Sequence, residues 1–152
     1  MAYIHESLYQ NKSFTSVNFS EYIQTLSRNI IQSYVISSEK IDLVLNLEKM
    51  RLNLDLSIPA GLIINELITN AIKHAFPNTM KGKILLNLKS ENNIVCIEVI
   101  DNGVGIPPEM DYNNTPTLGL QLVNTLIDQV GGKIKFNSKK DFGTQVLIKF
   151  KM

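Results

Sequence analysis

The sequence predicts a single α/β domain, on three observations. Apolar residues recur at helical spacing in residues 18–36, 59–76 and 119–130. They alternate with polar residues at strand spacing in 41–55, and further strand-like runs occupy 83–90, 93–100, 132–138 and 144–150. The chain has 152 residues, 44% hydrophobic and 19% charged, without internal repeats or low-complexity linkers, which suits one core of ordinary globular composition.

The elements follow in order. MAYIHESLYQ, residues 1–10, reads as the tail of an amphipathic helix, with Tyr3, Ile4 and Leu8 at helical spacing, and NKSFTS breaks the pattern. Residues 18–36 form a helix capped by Asn18 or Ser20, with Ile23, Leu26, Ile30, Ile31 and Tyr34 on its inner face. IDLVLNLEKMRLNLD alternates as one or two half-buried strands do. The next helix runs from Pro59, a proline tolerated in a first turn, to Phe76, where Pro77 ends it. KILLNLKS and NIVCIEVI then make an antiparallel hairpin about the turn-prone ENN. A glycine- and proline-rich loop leads from Asp101 to Leu118, followed by a helix to Val130 and two closing strands, GKIKFNS and TQVLIKF.

Composition excludes several function classes. With 15 basic and 14 acidic residues the net charge is +1, so no overall field favours nucleic acid or an anionic membrane. No apolar run approaches the roughly 20 residues that span a bilayer, and the amino terminus lacks a signal-like core, so a cytoplasmic location is expected. The single cysteine, Cys96, cannot form an internal disulfide and reads as a small buried hydrophobe in a reducing compartment.

The helix containing NELITNAIKHAF, residues 65–76, carries an unexpected set of polar groups. At about 100° per residue, Asn70 lies about 40° from Glu66, Lys73 about 20° to the other side and His74 about 80° away, opposite Ile64, Leu67, Ile68, Ala71 and Ala75. Alone, the stripe reads as a solvated face with a Glu66–Asn70 contact one turn apart. Its chemistry also suits phosphoryl transfer: a carboxylate can orient a nucleophile, a carboxamide oxygen is a ligand Mg²⁺ accepts, and Lys and His donate to phosphate oxygens.

Three further segments carry chemistry. In VIDNGVGIPPE an aspartate ends an apolar strand before Gly103 and Gly105, where backbone can approach a flat ligand and a buried carboxylate can accept from an exocyclic amine. Alone it is a glycine-rich turn, and Pro107 and Pro108 prevent the helical continuation of a dinucleotide fingerprint. In TLGLQLV, Gly119 opens a helix whose free amides can hold phosphate. In DFGTQV, Gly143 and Thr144 start the last strand.

In this order and at these intervals the four segments resemble the nucleotide-binding boxes shared by type II topoisomerase ATPases, heat-shock chaperone ATPases, mismatch-repair ATPases and sensor histidine kinases. NELITNAIKH resembles the N box, DNGVG the first glycine box, TLGLQLV a reduced second and FGT the last. SIPAGLIINEL, DNGVGIPPEMD and LGLQLVNTLIDQVGG resemble sensor histidine kinases, in the subclass with a variant dimerisation domain, and MAYIHESLYQNKSFTSVNFSEYI resembles the end of that domain.

The resemblance implies a two-layer α/β sandwich of the Bergerat type, with a mixed β-sheet, helices on one face, and ATP and Mg²⁺ as cofactors. It implies residues 1–17 as the end of the dimerisation region with its junction, and 18–152 as the ATP-binding catalytic domain. Glu66 matches the residue that activates or orients the nucleophile, Asn70 the magnesium ligand, and Lys73 and His74 phosphate contacts. Asp101 matches the adenine reader, Gly103 and Gly105 the adenine-side turn, Leu118, Gly119 and Leu120 the phosphate-side turn, and Thr144 the support beneath adenine. The lid would be IPPEMDYNNTPTL, which lacks a distinct phenylalanine box.

The implied partners are the dimerisation and sensor domains of a parent kinase that is a homodimer when intact, and a response-regulator receiver domain. HESLYQ begins as many phosphoacceptor boxes do but lacks their proline, so His5 reads as a packed or solvated helix histidine and the chain as a catalytic end separated from its acceptor. Two other readings stay open. An anti-sigma-type serine kinase has a related domain but no use for IHESLYQ, and a non-catalytic nucleotide-switched module has no need of Glu66.

Overall fold

The computed structural model describes residues 16–34, 41–75, 81–104, 118–139 and 142–152, with the side chains of Tyr34, His74, Ala75 and Leu118 outside the description. Helix α1, Phe19–Tyr34, starts where Asn18 can close it. The Asn18 Oδ1 accepts from the Glu21 backbone N–H at 3.2 Å, and the Glu21 carboxylate accepts from Asn18 Nδ2 at 3.1 Å, so Asn18 rather than Ser20 is the cap. The expected inner residues Ile23, Leu26, Ile30 and Ile31 are buried, together with Phe19 and Tyr22.

Strand β1, Ser16–Asn18, pairs antiparallel with β3, Arg51–Asn53, and was not expected from the sequence. The strand signal in residues 41–55 divides into β2, Ile41–Leu47, and the short β3.

Helix α2 corrects the expected start at Pro59: it spans Leu54–Asn70, with Pro59 inside it. Asn53 explains the earlier start, because its side chain accepts from the Leu56 N–H at 2.9 Å and satisfies one of the orphan donors of a first turn. At its far end α2 passes directly into a π-helical turn, Ala71–Ala75, where an α-helix to Phe76 was expected. The wider i→i+5 closure turns less per residue, so Lys73 and His74 lag behind their positions on an ideal wheel, and such turns are frequent at functional sites.

The hairpin about ENN forms as expected. Strand β4, Gly82–Glu91, and β5, Ile94–Asp101, are joined by Asn92 and Asn93 at φ 53° and 63°, the left-handed pair that a two-residue hairpin turn needs. Helix α3, Leu118–Gln129, ends in a Schellman closure: Gly132 N–H donates to the Ile127 carbonyl at 2.9 Å and Gly131 N–H to Asp128 at 3.1 Å, with Gly131 at φ 67°. Strands β6, Lys133–Lys139, and β7, Gly143–Lys151, complete the chain.

The five longer strands form a mixed sheet in the order β2-β4-β5-β7-β6, parallel only between β2 and β4. Alternation puts Ile84, Leu86, Val95, Ile97, Val146 and Ile148 on the face that shares one buried core with residues of all three helices. This is the expected two-layer sandwich. The other face carries no described helix and is tied by polar side chains, including Asn46 to Asn87 at 3.0 Å and Asn87 to Glu98 at 2.7 Å. Cys96 belongs to that face, so it is half-buried between its strand neighbours Lys89 and Lys149 rather than in the core. Among the described residues no helix is long and apolar enough to cross a membrane.

Candidate functional site

Two members of the polar stripe, Glu66 and Asn70, face α3. Glu66 and Asn70 are half-buried, and Gly119, in the first turn of α3, lies over them. A Cβ added at Gly119 would sit 2.7 Å from Glu66 Oε2 and 3.9 Å from Asn70 Nδ2. The missing side chain is therefore what lets a carboxylate, a carboxamide and the amino-terminal turn of a helix converge. Such a turn presents the positive end of the helix dipole. Leu118 and Leu120 flank Gly119 in that turn, with Leu120 buried. Lys73 is exposed on the π turn, one turn beyond Asn70. His74 follows it on the backbone, with its side chain outside the description.

The second cluster lies at the end of β5. Asp101 is 8% exposed and sits on the core face of the sheet. Its Oδ1 accepts from the Gly103 N–H at 3.0 Å, and the Thr144 N–H also donates to the carboxylate. Burial raises the Asp101 pKa above the ordinary aspartate range, and these two N–H donors pull it partly back. Gly103 is buried and Thr144 half-buried beside it, through the pairing of Asp101 with Thr144 between β5 and β7. Gly105 and the lid residues 106–117 lie outside the described residues.

Two contacts at this end were not anticipated from sequence. Asn102 holds β5 to the start of β4, its Oδ1 accepting from the Lys83 N–H at 2.7 Å while its own N–H donates to the Lys83 carbonyl at 3.2 Å. A turn-forming asparagine directly after a strand is the signal that could have found it. Ser138, at the end of β6, places its hydroxyl 3.1 Å from the Thr144 hydroxyl. Only the β6–β7 register reveals that contact.

The Asp101 pKa shift carries a prediction. A carboxyl whose folded pKa is raised contributes stability that is fully present below its unfolded pKa and lost as pH rises through the folded value. Ionised Asp101 thus weakens the fold near neutral pH, and Asp101→Asn should melt slightly above the parent chain there. The gap should close on acidification as Asp101 takes up its proton. Thermal melts of both proteins across pH check this, and a gap that widens on acidification contradicts it.

The arrangement suits a ligand with an amine-bearing flat base at one end and phosphates at the other. Asp101 offers a buried acceptor beside backbone that approaches closely. Glu66, Asn70 and the α3 turn offer a proton acceptor, a metal ligand and the positive end of a helix dipole. Among the described residues no group of three or more His, Cys, Asp or Glu could hold a metal by itself.

Comparisons with known proteins bear on the family and the fold. Residues 56–152 match the sequence model of the family described as histidine kinase-, DNA gyrase B- and HSP90-like ATPase, and residues 1–34 match one described as histidine kinase. The sensor histidine kinase PdtaS of Mycobacterium tuberculosis is 30% identical over 90 residues, which cover 58% of this chain and 18% of that protein. The anti-sigma F factor of Bacillus licheniformis is 26% identical over 97 residues, 55% of this chain and 62% of that protein. Among solved structures, the histidine kinase domain of a blue-light-activated histidine kinase from Erythrobacter litoralis superposes with a TM-score of 0.82 at 23% identity, covering 90% of this chain and 66% of that one. The chain belongs to the family of histidine kinase-, DNA gyrase B- and HSP90-like ATPases.

Proposed function

We propose that this chain is the catalytic part of a two-component sensor histidine kinase. It binds Mg·ATP and passes the γ-phosphoryl group to a histidine on a dimerisation helix. The observation that carries the reading is the convergence of Glu66 and Asn70 on Gly119. Residues 18–152 form the nucleotide-binding unit, consistent with the burial of α1 in its core, and residues 1–17 are the end of the dimerisation helix region with its junction. The setting is the cytoplasm. The partners are the dimerisation and sensor domains of a homodimeric parent kinase and a receiver domain.

In this reading Asp101 accepts a hydrogen bond from the adenine amine, with Gly103 and Gly105 allowing the base to lie against backbone and Thr144 beneath it. Asn70 holds Mg²⁺ through its carboxamide oxygen. An ion held there would supply positive charge to offset that of the phosphates. The amides around Leu118, Gly119 and Leu120 hold phosphate oxygens, with Lys73 and His74 as further donors. Glu66 orients the attacking imidazole and accepts its proton.

Labelled ATP tests the proposal. The isolated chain should remain unlabelled, and addition of a dimerisation segment bearing its acceptor histidine should yield acid-labile, base-stable label on that segment. Label of that kind on His5 of the isolated chain would contradict it. The match to the anti-sigma F factor supports a second reading, transfer to a serine of a partner protein. Acid-stable label on a serine would decide for it.

A further inference from the structure

We propose that Asn102 is a positioning residue for Asp101: its side chain closes the last pair of the β4–β5 ladder and so holds the turn in which the Gly103 N–H fixes the Asp101 carboxylate. The inference rests on the reading of Asp101 as the acceptor for the adenine amine.

The ladder carries the first step. Asp101, the last residue of β5, pairs with Ile84, and one step further Asn102 stands opposite Lys83. A hydrogen-bonded antiparallel pair is closed by two bonds, each residue's N–H to the other's carbonyl. The Asn102 N–H donates to the Lys83 carbonyl at 3.2 Å, but the Lys83 N–H donates to Asn102 Oδ1 at 2.7 Å. The side-chain carboxamide takes the place of the main-chain carbonyl. The pair is complete, and the backbone of Asn102 is free to leave the strand direction.

The turn carries the second. Directly after Asn102 the chain bends, and the Gly103 N–H reaches back to Asp101 Oδ1 at 3.0 Å. A ladder continued through the main-chain carbonyl of Asn102 would carry Gly103 onward along the strand and take its N–H away from that oxygen. On the other edge, the start of β7 presses on the same two residues: a Cβ added at Gly143 would lie 1.9 Å from the Asp101 carbonyl oxygen and 3.0 Å from Asn102 Cα. Lys83 and Gly143 thus grip the Asp101–Asn102 peptide from both sides. Of the two grips, the one at Lys83 includes a side chain, and Asn102 is exposed, so that side chain can be removed without opening the core.

Amide hydrogen exchange and calorimetric binding of Mg·ADP, both on the whole chain, test the proposal. In Asn102→Ala the Lys83 and Gly103 amides should exchange about tenfold faster, while those of Ile97 and Val99 inside β5 stay as in the parent, which separates a released turn from a weakened fold. Mg·ADP should bind about three- to tenfold more weakly, the scale of one hydrogen bond. Asn102→Asp keeps the acceptor oxygen and should bind within about twofold of the parent. In an Asp101→Ala background, Asn102→Ala should cost less than about twofold, because its effect runs through Asp101. Thermal melts establish that each variant is folded, and Asn102→Leu, which fills the space without the acceptor, carries the same expectation if Asn102→Ala does not fold. Parent-like protection of Gly103 in Asn102→Ala, equal weakening in Asn102→Ala and Asn102→Asp, or an undiminished cost in the Asp101→Ala background overturns the inference. Asp101→Ala separates the two levels: if it binds Mg·ADP as the parent does, the adenine reading fails. If it loses Mg·ADP while Asn102→Ala binds as the parent does, only the role of Asn102 fails.

Discussion

Replacing Glu66 by Gln should lower phosphoryl transfer to a supplied acceptor by about 10²- to 10⁴-fold, the usual contribution of a positioned acid–base group, and leave nucleotide affinity nearly unchanged. The substitution keeps the size and shape of the side chain and removes its capacity to take a proton. Gly119→Ala probes the same point from the other helix. Its methyl would lie 2.7 Å from Glu66 Oε2, and the carboxylate, at the end of a flexible side chain, would have to swing away. Transfer should fall with little loss of stability. Single-turnover transfer at saturating nucleotide, set beside binding measured by calorimetry, separates the two effects. A Glu66→Gln variant that transfers at the parent rate would remove Glu66 from the chemistry.

The largest stability loss is expected for Gly143→Ala. Two costs combine there. A φ of 107° is strained for any residue with a Cβ, and the added methyl would stand 1.9 Å from the Asp101 carbonyl oxygen. That oxygen belongs to the paired end of β5 and cannot withdraw without opening the Asp101–Thr144 ladder. A loss of about 3 kcal/mol or more is expected, roughly 6 to 12 °C in the thermal midpoint of a domain this size. Gly131→Ala is the control, because Gly131 also has a positive φ, 67°, but nothing lies within 4 Å of its added Cβ. It should cost only about 1 to 2 kcal/mol. Equal losses at the two positions would show that conformation alone, and not the contact with Asp101, fixes the glycine before Thr144.

Local signals in the sequence were sufficient where structure is local. The ENN turn, the helix beginning near Gly119 and the two closing strands formed within a residue or two of expectation, because each is defined by its own periodicity and turn residues. The start of α2 was misplaced because LNLDLS alternates like a strand, while the feature that decided the matter was a single cap, Asn53. Cys96 was assigned to the core because NIVCIEVI is apolar almost throughout. With only one sheet face covered by helices, strand alternation sends Val95 and Ile97 inward and Cys96 outward.

The candidate site divides along the same line. Residue types and spacing singled out Glu66, Asn70, Asp101 and Gly119 as candidates, and the resemblance of FGT to a family box added Thr144. The approach of Gly119 to Glu66 and the row from Asp101 through Thr144 to Ser138 depend on how separate elements meet. No local pattern encodes either. The contact between Ser138 and Thr144 spans six positions and exists only through the hairpin register.

Calorimetric titration of the chain and its Asp101→Ala variant with Mg·ADP and with a non-hydrolysable ATP analogue tests the central claim most directly. One nucleotide should bind per chain. Asp101→Ala should weaken it by about 10- to 100-fold, since an unsatisfied base amine costs on the order of 1 to 3 kcal/mol. No binding by the folded parent chain, or equal affinity in parent and variant, would contradict the account.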